Sequence, residues 1–115
     1  MNNIGNPELI QNQVELSARC DELIIDMARE GDLYAQAEYN YQVQKNRTAY
    51  RLQEEGLSAT MIMQIIKGEP EVALLMRERD VAKARYEATK EAINIVKLQM
   101  RMTDSQINRE WGRNE

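Results

Sequence analysis

Residues 71–111 contain no glycine and no proline, and most of them are good helix formers. Apolar side chains return along this stretch at helical steps: Val72, Leu75, Ala82, Tyr86, Ile93, Val96 and Met100. That spacing marks one helical stripe. Pro70 stands where a first helical turn tolerates it. A straight helix over these residues would run roughly 60 Å at about 1.5 Å per residue. A compact globule of about 100 residues has a radius of gyration near 13 Å. The stretch therefore predicts an all-α chain built as an elongated antiparallel helical hairpin.

The first half carries a matching stripe. Asn6-Pro7-Glu8 reads as a helix start, with Asn as N-cap, Pro in the first turn and an acid near the positive helix end. Residues 1–5 read as frayed. Leu9, Leu16, Cys20, Leu23, Met27, Tyr34, Ala37 and Tyr41 then share a face. The stripe keeps its phase across Gly31, so the expectation is one helix over about 7–55, with a kink or break at Gly31 as the alternative. Gly56 supplies a left-handed cap. Ser58 caps a short helix over about 58–67, Gly68 closes it, and the long helix covers about 70–111. Thr103-Asp-Ser-Gln106 matches a capping box, so a break and restart of that helix there is the alternative. The whole, residues 1–115, reads as a single helical domain. Centring the turn on Met63 pairs residues whose numbers sum to about 126, which sets Tyr41 beside Tyr86 and Met27 beside Met100.

Charge is unevenly spread. Residues 1–44 hold eight acids and two arginines, a balance of −6, within a chain of net charge −4. This acidity argues against non-specific DNA binding, which needs several net phosphate contacts. Cys20 is the only cysteine, so an intramolecular disulfide is excluded. The first residues have no basic or apolar segment of a signal peptide, and no run of 18 apolar residues would span a membrane. The expected setting is a reducing cytoplasm.

Catalytic and cofactor chemistry find little footing. The chain has no histidine, so the Glu-x-x-His pairs of di-iron bundles are absent. Glu87 and Glu91 are flanked by Lys83 and Lys90 and read as solvated surface. Cys20 sits in an apolar stripe without a base to activate it. No glycine-rich phosphate loop occurs. The expectation is a non-enzymatic protein with no catalytic residue, metal ligand or cofactor.

Several patterns admit two readings. Glu22, Asp26 and Glu30 are like charges at four-residue steps, which repel unless offset. They form either an acidic docking strip or partners for Lys97 and Arg101 of the opposite helix. Residues 56–70 superficially resemble the turn and recognition helix of a helix-turn-helix motif. Leu52 stands where that motif wants a small residue, so a helical cap is the plainer reading. In it Met61, Ile62, Ile65 and Ile66 pack beneath, and Thr60, Gln64 and Lys67 face solvent. Arg77, Arg79, Lys83, Arg85 and Lys90 alternate with acids, as on a solvated helix. Tyr34, Tyr41 and Tyr86 fit the packed seam better than base stacking. Trp111 is either an anchor on a neighbouring subunit or an internal contact. Leu74, Val81, Ala88, Ala92, Ile95 and Gln99 form a second, weaker stripe. Such breadth suggests more than one partner helix, and a dimeric helical bundle is expected.

Ala37-Glu-Tyr39-x-Tyr41 with Lys45, Gly56-x-Ser58-Ala-Thr60, Lys67-Gly68-x-x-x-Val72, Arg77-x-Arg79-Asp80-x-Ala82-x-x-x-Tyr86, Glu91-Ala-Ile93 and Gln106-Ile-x-Arg109-Glu110-Trp111-Gly112 follow in order. Together, over about residues 32–112, they resemble small helical, coiled-coil-like proteins encoded by bacteriophages and prophages of Gram-positive bacteria. The resemblance implies a phage accessory protein in the cytoplasm of the bacterial host. It carries over no catalytic residues. The expected function is binding of another protein: a phage recombination or replication factor, or a host defence nuclease that the chain inhibits in an anti-CRISPR-like manner. Expected contacts are Glu15, Glu22, Asp26, Glu30 and Asp32, with Trp111 as an apolar anchor. The alternative is direct binding of DNA or single-stranded DNA through Lys45, Arg47, Arg51 and Lys67. No membrane partner is expected.

Overall fold

The computed structural model describes residues 7–114, so the expected Asn6 cap and frayed residues 1–5 lie outside the described residues. The chain is all-α, with helix α1 over Pro7–Glu54, helix α2 over Ala59–Ile65 and helix α3 over Pro70–Asn114. A 3-10 turn, Ile66–Gly68, joins α2 to α3. No strand occurs among the described residues. α1 passes through Gly31 without a break, and α3 passes through residues 103–106. The bare Cα of Gly31 faces the Tyr86 ring, where an added Cβ would stand 3.4 Å from it. The Thr103 hydroxyl is taken by Asn12, whose Nδ2 donates to it at 3.2 Å, and Thr103 is buried. It is therefore a contact between helices and not the cap of a new one.

The chain groups into two compact units. The first unit takes the described residues up to Ala28 and those from Ala88 onward. Its core is Cys20, Leu23, Ile93 and Val96, with Leu16, Met27, Ala92 and Met100 packed against it. Gln13 Nε2 donates to the Met100 carbonyl at 3.1 Å. The two helical segments are antiparallel here, and the paired numbers sum to 115 and 113.

The second unit is Arg29–Glu87. Its core is Tyr41, Ile66 and Val72, with Ala49, Ile62, Leu75 and Met76 around it. α1 ends in a left-handed turn: Gly56 has φ +96. The Leu57 N–H donates to Leu52 O at 3.1 Å and the Gly56 N–H to Gln53 O at 3.0 Å. These are the two bonds of a Schellman motif. Ser58 then caps α2 by accepting from the Met61 N–H at 3.2 Å. α3 opens at Pro70, with the Val72 and Ala73 N–H groups donating to Glu69 O.

The register differs from the one expected from a turn centred on Met63. Glu38 meets Arg79 and Thr48 meets Glu71, so paired numbers in this unit sum to 117 and 119 and not to 126. Tyr86 accordingly lies against Tyr34, ring centroids 6.2 Å apart, and not against Tyr41. The reason lies in the connector. α2 and its 3-10 turn run back beside the end of α1, with Ile66 reaching the core that holds Tyr41 and Val72. α3 therefore starts more than a turn before the level at which α1 ends. The connector also departs from the expected cap in detail. Ile66 is buried and Ile62 half-buried, but Met61 and Ile65 are 50% and 39% exposed.

Candidate functional site

Five acids and Trp111 were the expected protein contacts. Glu15 is exposed and accepts from Gln11 Nε2 at 3.3 Å. Glu22 is exposed and pairs with Arg19 of its own helix at 3.6 Å. Asp26 is half-buried. These three belong to the first unit, whereas Glu30 and Asp32 belong to the second. Asp32 also stands about 200° round α1 from Glu30, off the strip. Glu30 is half-buried, its side chain 18% exposed, with Arg29 Nη2 at 3.9 Å. Its Oε2 is buried without a hydrogen-bond partner. Arg101, expected beside Glu22, lies nearly three turns away along the pair in the observed register, given Gln13 opposite Met100. Trp111 is exposed near the end of α3.

Two of the four expected nucleic-acid contacts are engaged inside the second unit. Arg51 donates to Glu71 at 2.7 Å and stands 3.4 Å from Glu55 and 3.8 Å from Glu69. The hydrogen bond to Glu71 raises its pKa above the ordinary value. The Glu71 carboxyl is in turn held below its usual range by its own backbone N–H, by Arg51 and by Thr48. Buried Thr48 donates to Glu71 at 3.3 Å and accepts from Gln44 at 3.2 Å. This polar cluster fastens α1 to the start of α3. Lys45 lies over the Tyr41 ring, 5.7 Å from its centroid. Arg47 and Lys67 are exposed.

Within the basic run on α3, Arg79 is a structural residue. Arg79 stacks on Tyr41 at 4.5 Å and reaches Asp80 at 2.9 Å and Glu38 at 3.6 Å. Its pKa is raised, chiefly by the Asp80 hydrogen bond. Among the described residues, no group of three or more acidic or cysteine side chains is placed to hold a metal ion. No helix among them is long and apolar enough to cross a membrane. Cys20 is buried.

Two apolar features bear on binding. In the first unit, large side chains stand exposed on both helices: Ile10, Val14 and Ile25 of α1, and Ile95, Leu98 and Met102 of α3. The last three follow at steps of three and four and so share one helical face. In the second unit, α1 and α2 enclose an open groove of about 760 Å³. Ala49, Tyr50, Leu57, Ile62 and Met63 form its apolar walls, and Asn46, Gln53 and Ser58 its polar rim. No acid, lysine or arginine lines it. The sequence reading missed this groove. The signal was in α2 itself, ATMIMQI, a helix without a charged face, which must be buried or partnered.

No family model, curated protein or solved structure matches the chain.

Proposed function

We propose that the chain is a non-enzymatic scaffold that binds another protein through apolar helix faces and works as a homodimer. One observation carries this reading. Ile95, Leu98 and Met102 are 50%, 50% and 60% exposed on one face of α3, while the core of the same unit is already closed by Ile93 and Val96 on another. An exposed apolar stripe on a helix with a completed core is the geometry of helix docking. The resemblance to phage-encoded helical proteins supplies the class of partner: a phage recombination or replication factor, or a host defence nuclease. The site of action proposed with it is the cytoplasm of the bacterial host.

The acids have a smaller place in this reading than they had in the sequence. Glu22 is offset by Arg19, and Asp32 lies off the strip. Direct nucleic-acid binding is weaker for the same kind of reason, since Arg51 and Lys45 already have partners.

Affinity capture of the tagged full chain from phage-infected bacterial lysate, with and without nuclease, tests the proposal. A protein partner retained after nuclease supports it. Partners that all vanish with nuclease contradict it and favour nucleic-acid binding.

A further inference from the structure

We propose that the uncharged groove between α1 and α2 is the self-association surface, filled by α2 of a second copy with Met63 as its central side chain. The inference rests on the reading of the chain as a homodimer and names the face through which it pairs.

Three observations point to a second copy as the occupant. The patch carries both halves of a contact. Met63 lines the groove together with Tyr50, Leu57 and Ile62 and is 79% exposed on α2, so it is open to a second copy from the edge of the recess. A two-fold axis through such a patch sets the projection of each copy against the recess of the other, as an isologous interface requires. Charge selects the same place. The chain has a net charge of −4, so most approaches of one copy to another bring like charges together. α2 and the groove lining carry no charged residue. Finally, α2 has seven residues and none of them is buried. A helix this short depends on packing for its stability. Ile62 gives it one contact inward, and Met61 and Met63 face outward at 50% and 79% exposure. Methionines adapt to irregular apolar recesses better than branched side chains do.

Sedimentation velocity of the full chain over about 1–200 micromolar tests this, because a dimer is concentration-dependent. The wild type is expected to sediment increasingly as a dimer. Met63→Lys and Tyr50→Glu, both at highly exposed positions, are expected to keep their helical circular dichroism. Each should raise the dissociation constant about tenfold or more. Ile24→Glu, at an exposed position of the other unit, should leave the dissociation constant unchanged. A dimer unaffected by both groove variants overturns this inference and leaves the homodimer reading standing. A dimer abolished by Ile24→Glu alone overturns it too and moves the interface to the other unit. A wild-type monomer throughout overturns the inference together with the homodimer reading.

Discussion

The Arg79 guanidinium lies 4.5 Å from the centroid of the Tyr41 ring, and Tyr41 is the most deeply buried aromatic of its unit. Glu38 and Asp80 flank the guanidinium. The contact joins the two motifs that stand out in the sequence, Ala37-Glu-Tyr39-x-Tyr41 and Arg77-x-Arg79-Asp80. It explains both as packing and not as chemistry. A cation over an aromatic face in a partly desolvated setting is worth about 1–2 kcal/mol. Arg79→Ala should therefore lower unfolding stability by about that amount, read from urea denaturation. Arg79→Lys should recover only part of it, because an ammonium cannot stack flat on the ring. Equal stability of Arg79→Ala and the wild type would refute the assignment.

Gly31 offers a test of the opposite sign. It lies inside α1, and an alanine Cβ would meet the Tyr86 ring at 3.4 Å, an ordinary van der Waals contact. Removing a mid-helix glycine should stabilise the fold by about 0.5–1 kcal/mol. Gly31→Ala is expected to raise the melting temperature. A lower value would mean that the Tyr86 ring cannot yield.

Gly56 behaves differently for a backbone reason. Its φ of +96 lies where L side chains rarely go, although nothing crowds the position. Gly56→Ala should cost about 1–2 kcal/mol and loosen the turn that sets α2 beside α1. Thermal unfolding of this variant beside Gly31→Ala separates the two roles of glycine.

Much of this was legible in the sequence, and the part that was not has a physical explanation. The stripes of Cys20, Leu23 and Tyr41 on one helix and Val72, Ile93 and Val96 on the other do become the core. Periodicity fixes which face of a helix is buried, so these residues could be named in advance. It does not fix the axial offset between two helices. That offset depends on how α2 and the 3-10 turn fold back, and so Tyr86 found Tyr34 where Tyr41 had been expected. The groove was missed because α2 was assigned by hydrophobicity to a cap with Met61 and Ile65 packed beneath, whereas their exposure depends on that same fold-back. Arg51 looked like a free cation because Glu69 and Glu71 are distant in sequence.

The polar cluster at the end of the second unit predicts a response to pH. Glu71 is held below its ordinary carboxylate value in the folded chain. A depressed carboxylate contributes stability above its unfolded pKa and loses it as pH falls through the lower folded value. The melting temperature should therefore fall as pH drops from about 5 to 3. Glu71→Gln should melt lower than the wild type at pH 7, and the gap should narrow across that window. A gap independent of pH would show that Glu71 acts through packing alone.

The proposed function places recognition on apolar helix faces and not on the acidic strip. Affinity for the captured partner, measured against salt for the wild type, Leu98→Glu and Glu22→Gln, tests it most directly. Apolar docking predicts near-constant affinity as salt rises, a large loss for Leu98→Glu and little change for Glu22→Gln. Steep weakening with salt, with Leu98→Glu binding as tightly as the wild type, would contradict the claim.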